Sequence, residues 1–345
     1  MSESTQLPGT FESEDPHQMW VIMPPRQRWW LHILLLAATF LTTTVVGARM
    51  HFHYLHNQPV LLPDEDLLWP FVTWMGHPSE LLPGLPFSLT LMFILLAHEM
   101  GHYLYARHYR VYATLPFFIP FVSLIGTLGA FIRIKSQIPS RAALFDIGIA
   151  GPIAGFIPSC AAVLAGLSLS HPLPSNAGSP DNELGFPLIF HLAARILHTS
   201  VPLSSFSLHP IAVAGWVGMF ATALNLLPGG QLDGGHILFS VLPKLHRWIS
   251  FVTVLALIPL TKYCWAGWLL WAVVLWLTSH HPPVPTYPRI SGSRKLVALF
   301  GVAMLVLAFT PAPFSEASGR DLWRQAGLPT VQEVEEKVGH FLHRL

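Results

Sequence analysis

Charge is what this sequence has least of. Asp, Glu, Lys and Arg make up 11% of its 345 residues, against roughly a quarter in a soluble domain, too few to cover a water-facing surface. The charges nearly cancel, 19 basic against 18 acidic, so no basic footprint exists and no nucleic-acid partner is expected. Cysteine is equally scarce. Cys160 and Cys264 both fall in apolar runs, which excludes a disulfide framework and a CxxC zinc knuckle. No repeat of 20–50 residues is visible, which excludes a solenoid. Met1–His17 is acidic and lacks Arg, and the first apolar run begins only at Trp29, so no cleavable leader is expected.

What the chain does have is apolar side chains, 52% of the total. About 20 of them in a row span a bilayer as a helix. Trp29–Ala48, Phe87–Tyr105, Ala142–Leu169, Ile211–Leu227, Ile249–Leu277 and Leu296–Thr310 meet or approach that length. The fifth is too long for one straight span and Lys262 interrupts it, which suits two short helices. Backbone in lipid must satisfy its own hydrogen bonds. The expected fold is therefore an all-α, multi-pass membrane protein with about six transmembrane helices. Residues 1–28 read as a cytoplasmic N-terminal tail, 29–312 as the membrane core and 313–345 as a polar C-terminal tail, in which Val331–Leu345 suits an amphipathic surface helix. Arg26, Arg28, Arg107, Arg110, Arg133, Lys135 and Arg141 fall on one side of the spans, which places the N-terminus in the cytoplasm. Leu115–Lys135 is too broken by Pro116, Pro120, Gly126 and Gly129 to cross. Its alternation at Ile132–Lys135 predicts a small membrane-associated β-hairpin.

The second span ends in His98-Glu99-Met100-Gly101-His102. His98 and His102 are one helical turn apart, so both imidazoles can reach one zinc ion, while Glu99 sits about 100° round the helix. The bland alternative is a pair of snorkelling histidines near the interface. Ionisable groups within a span are costly and mark functional sites, which favours the metal. Zinc needs a third protein ligand. Asn225-Leu226-Leu227-Pro228-Gly229-Gly230-Gln231-Leu232-Asp233-Gly234-Gly235-His236 supplies a carboxylate, Asp233, on a Gly-flanked turn at membrane depth. Such irregular backbone is tolerated only inside protein or along a wet cavity. Other polar residues read more plainly. His236 reads either as a supporting partner of the site or as an ordinary helix residue, the latter preferred, and Asp146 as a complement to a helix dipole. His51, His53 and His56 fall on a short outer loop, where an extended backbone would put His51 and His53 on one face. The tryptophans read as interfacial belt or packing.

The two segments together resemble the site-2 protease family of intramembrane zinc metalloproteases. His98, Glu99 and His102 match its first motif. Asn225, Pro228, Leu232, Asp233 and Gly234 match its second. Gly151-Pro152-Ile153-Ala154-Gly155 looks like its small-residue motif, which lets helices pack closely. His281-Pro282-Pro283-Val284 and Phe309–Phe314 look like a bacterial branch. The resemblance runs from about Phe87 to Phe314. It implies a metalloendopeptidase with one zinc per chain on His98, His102 and Asp233, and Glu99 as general base. Asn225 would face the substrate, unless it only caps its helix. The implied substrate is a single-span membrane protein, cut in the lipid bilayer by regulated intramembrane proteolysis. The implied setting is a bacterial inner membrane. No insertion between the second and fourth spans has the length of a PDZ domain, so a compact core enzyme is expected. A substrate helix must unwind before its carbonyls can be reached. Gly126, Thr127, Leu128 and Gly129 read as a substrate-binding strand edge that takes the unwound segment as one more strand. A metal-ion transporter or a catalytically silent membrane-segment adaptor are the rival readings. Glu99 beside the ligands, and no visible inverted repeat, weigh against both.

Overall fold

The computed structural model describes residues 28–58, 78–173, 184–199, 201–285 and 290–314. The expected N-terminal tail up to residue 27, and the C-terminal tail from residue 315 with the Val331–Leu345 helix, lie outside the described residues.

The chain is mostly helical: α1 Trp29–Leu55, α2 Leu85–His108, α3 Arg141–Leu169, α4 Leu188–Ile196, α5 Pro210–Asn225, α6 Asp233–Val241, α7 His246–Tyr263, α8 Trp268–Leu277 and α9 Gly292–Ala308. Three helical stretches are long and apolar enough to cross a membrane: α1, α2 with its preceding 3₁₀ turn, and α3. α5 and α8 are apolar but shorter. The long fifth run does split, with α7 ending at Tyr263 and α8 starting at Trp268. Helix ends follow local chemistry. Ser140 caps α3, its hydroxyl accepting from the Ala143 amide at 3.1 Å, and Pro210 opens α5, where its missing N–H costs nothing.

α1 differs from expectation. It continues past Ala48 to Leu55, so His51 and His53 are helical rather than on a loop. They sit about 200° apart around the axis, on nearly opposite faces, and only His53 is buried.

α3 is the central helix, packed between α2 and α5. The core on which they meet includes fully buried Phe87, Leu91, Phe145, Trp216 and Met219. Asp146 of α3 is not a dipole complement. Beyond the first turn that effect fades, and its carboxylate instead takes Arg294 of α9 bidentately, Nε to Oδ1 at 2.8 Å and Nη2 to Oδ2 at 2.6 Å. The Tyr109 hydroxyl, just after α2, donates to the same carboxylate. One acid thus cross-links three elements.

Two strands form the hairpin: β1 Phe117–Pro120 and β2 Thr127–Phe131, antiparallel, with Phe117 opposite Phe131 and a bulge before Pro120. β2 ends at Phe131. The alternating Ile132–Lys135 is extended but pairs elsewhere, with Tyr112–Thr114. Thr114 N donates to Arg133 O at 3.0 Å and Lys135 N to Tyr112 O at 2.9 Å. The hairpin is docked on α1, where the Thr42 hydroxyl donates to the Gly126 carbonyl at 2.6 Å. A second two-stranded pair, β3 His171–Pro172 and β4 Phe206–Ser207, ties the far end of α3 to the start of α5.

Candidate metal centre

His98 and His102 lie on the face of α2 that meets α3, and the small residues of α3 make room for them. A Cβ added to Gly151 would fall 2.1 Å from His102 Nε2, and one on Gly155 would fall 3.0 Å from His98 Cβ. Only glycine fits at Gly151. His102 Nδ1 lies 2.7 Å from the Ile147 carbonyl. A carbonyl only accepts, so Nδ1 carries the proton and Nε2 is left with a lone pair for a metal.

Asp233 arrives on a loop that the next helices hold in place. α5 ends at Asn225, and the chain turns through Pro228 and Gly230, the latter with a positive φ of 59°. Three side chains of α7 bind this turn: Thr253 donates to Pro228 O at 3.0 Å, Ser250 accepts from Gly230 N at 3.2 Å, and His246 Nε2 donates to Gly230 O at 3.1 Å. Gln231 is tied to the segment after α8, its Nε2 donating to His280 O at 3.0 Å. His246, Ser250 and Thr253 went unnoticed in the sequence. Their signal is visible there: three polar residues at i, i+4 and i+7 on one face of an apolar helix.

These elements bring three ligand atoms together. His98 Nε2 and His102 Nε2 are 3.1 Å apart, and each is 3.3 Å from Asp233 Oδ2. Ligands at 2.0–2.1 Å from a tetrahedral zinc stand roughly 3.3 Å from one another. The triangle therefore fits one zinc ion, as does the donor set of two imidazoles and a carboxylate. Among the described residues no other group of three His, Cys, Asp or Glu is so placed.

Glu99 is buried beside them and shares their cavity, about 300 Å³ in volume, as does Asn225. Asn225 Nδ2 lies 3.4 Å from His98 Nε2. The opposite wall comes from the segment ending the hairpin, Ala130–Ile132, with Ile134 and Ile138. Ile132 and Glu99 both line this cavity. The residues expected to bind substrate, Gly126, Thr127, Leu128 and Gly129, lie just before this wall rather than in it. Thr127 is buried with its hydroxyl donating to Ile119 O at 2.8 Å, whereas Leu128 is 62% exposed. His236 is not the ordinary helix residue expected. It lines the cavity one turn after Asp233, with Nδ1 2.8 Å from His281 Nε2.

Residues 86–263, which include every one of these ligands, match the family model for Peptidase family M50. Among similar proteins, the "Probable zinc metalloprotease EGY1, chloroplastic" of Arabidopsis thaliana is 32% identical over 259 residues, covering 73% of this chain and 45% of that protein. Its namesake in Oryza sativa subsp. japonica is 31% identical over 268 residues, 75% of this chain and 44% of that protein. "Probable zinc metalloprotease EGY2, chloroplastic" of Arabidopsis thaliana is 28% identical over 276 residues, 76% and 47% respectively. The chain spans about half the length of the curated relatives it matches.

Proposed function

Because this chain belongs to peptidase family M50, we propose that it is a zinc-dependent endopeptidase that cuts single-span membrane proteins at or within the bilayer. The observation that carries this reading is the His98, His102 and Asp233 triangle at 3.1–3.3 Å with Glu99 in the same cavity. His98, His102 and Asp233 would hold the zinc, which when bound supplies Lewis acidity to a water and to the peptide carbonyl. Glu99 takes the proton of the attacking water and passes it to the leaving amine. Asn225 offers its amide to the peptide carbonyl as negative charge develops on the oxygen. The hairpin orients the unwound substrate segment alongside β2, with Gly126–Gly129 as the approach and Ala130–Ile132 at the site. A buried carboxylate poised beside the ligands supports hydrolysis over transport or passive segment binding.

Residues 29–312 are taken as the catalytic core, with α5, the α7–α8 pair and α9 completing about six crossings. The apolar helices make this a membrane protein. An N-terminus in the cytoplasm is supported by Arg107, Arg110, Arg133, Lys135 and Arg141, which fall together at the same ends of the second and third spans; a bacterial inner membrane rests on the resemblance of His281–Val284 and Phe309–Phe314 alone, the similar proteins being chloroplastic. Comparative membrane proteomics of cells carrying wild type or Glu99→Gln tests the reading. Single-span fragments should accumulate uncut in the variant. Identical fragment profiles would contradict it.

A further inference from the structure

Beside the ligand cluster lies a seam of histidines that the chemistry above does not use: His236, His246 and His281. Its hydrogen bonds fix the protons. His281 Nδ1 is 2.7 Å from the Pro282 carbonyl, so Nδ1 carries a proton. Burial lowers the His281 pKa, which keeps the ring neutral at pH 7 and makes its Nε2 an acceptor. His236 Nδ1, 2.8 Å from that Nε2, is therefore the donor, and the Nε2 of His236 is left with a lone pair. Among the described residues nothing bonds to this Nε2, and His236 borders the cavity shared by Glu99 and Asp233. His281 stacks on Phe239 at 4.0 Å and 9° and meets His246 edge-on at 5.6 Å.

A peptide unwound into an apolar cavity brings N–H groups that have lost their helical partners. Each is costly if left unpaired. The cavity already offers the peptide a donor, the Asn225 amide. An acceptor fixed in its tautomer is the complementary group. We propose that His236 Nε2 accepts a hydrogen bond from a backbone N–H of the bound peptide next to the scissile bond, with His281 as the positioning residue that holds His236 in the acceptor tautomer. This inference rests on the proteolytic reading and names a substrate contact within it.

The test uses the purified full chain in detergent and the shortest β-casein fragment that wild type cuts at one bond. His236→Asn keeps an amide where Nδ1 lies, so the bond to His281 survives while the acceptor is lost. His236→Gln keeps an acceptor near the Nε2 position. Loss of one hydrogen bond should lower kcat/KM about 5–10-fold in His236→Asn and leave His236→Gln within about twofold of wild type. His281→Phe, which retains the stack on Phe239, should fall between them. Zinc content should equal wild type in all three. Replacing successive peptide N–H groups by ester oxygens should then reveal one position that slows wild type and does not slow His236→Asn further. A healthy His236→Asn with an impaired His236→Gln would reassign His236 to a structural role through His281. An ester scan equally costly in both proteins would also overturn the proposal, as would zinc loss in His236→Gln. A wild type with full zinc that cuts casein no better than Glu99→Gln would contradict the proteolytic reading, and this contact would fall with it.

Discussion

Gly151 abuts the imidazole of His102 so closely that a methyl group on it would stand 2.1 Å from Nε2. Backbone of one helix and a candidate ligand ring of another occupy adjoining space. The separation of α2 and α3 is thereby coupled to the position of a ligand atom.

Gly151→Ala should therefore push His102 off the position from which it meets His98 and Asp233. Displacing a ligand or its outer partner typically weakens metal affinity about 10–100-fold. Zinc per purified chain, measured after dialysis against a weak chelator, should drop accordingly. Gly155→Ala, at 3.0 Å from His98 Cβ, should have the smaller effect. Full zinc retention in Gly151→Ala would show that α3 can shift without disturbing the site.

Asp233→Ala should lose zinc outright, while Ser250→Ala should loosen the loop that delivers Asp233. The Gly230 amide that Ser250 accepts from is buried, and leaving it unpaired should cost about 1–3 kcal/mol. Thermal unfolding in detergent, followed with zinc titration, should show lower stability and weaker zinc binding in Ser250→Ala. Wild-type behaviour in both measurements would remove α7 from the support of the ligand.

The Asp146–Arg294 pair makes the opposite prediction for the metal. Asp146→Ala should destabilise the chain by about 1–3 kcal/mol, because a bidentate, partly buried bridge between α3 and α9 is lost together with the Tyr109 contact. Zinc content should stay at the wild-type level. A double-mutant cycle with Arg294→Ala should show strong non-additivity, and simple additivity would mean the two side chains act independently.

Proline substitutions along the hairpin test where substrate docks. Ile132 lines the cavity that holds Glu99, whereas Leu128 does not line it. Ile132→Pro should impair cleavage of a membrane-embedded substrate more than Leu128→Pro, and both should spare zinc. Each proline removes an amide donor and bends the strand. A soluble, already unfolded peptide should suffer less from Leu128→Pro. Full membrane-substrate activity in both variants, with insertion verified, would remove β2 from substrate docking.

The candidate metal triad that the structure brings together was legible in the sequence because its information is local. His98 and His102 are a turn apart, and Asp233 sits on a Gly-flanked break in an apolar run. The small-residue segment Gly151–Gly155 was legible for the same reason, since close packing leaves a compositional mark. What escaped were roles set by distant partners. Asp146 meets Arg294, 148 positions away, and His236 meets His281, 45 positions away; neither pairing leaves a periodic signature. α1 outran its expected end because the apolar run closes at Ala48 and the histidines beyond it suit a loop, yet the helix carries on through Arg49, which is buried within the fold. The hairpin was legible from its prolines and glycines. Its register was not, since Ile132–Lys135 alternates as a strand does but pairs with Tyr112–Thr114 rather than with β1.

In the proposed reaction Glu99 performs proton transfer at a zinc held by His98, His102 and Asp233. The most direct measurement is zinc content and cleavage rate, side by side, in purified wild type, Glu99→Gln and His98→Ala. Glu99→Gln should bind zinc as wild type does and cleave about 10²–10⁴-fold more slowly, while His98→Ala should lose both zinc and cleavage. A Glu99→Gln enzyme that cuts at the wild-type rate would contradict the mechanism, as would a His98→Ala enzyme that keeps its zinc.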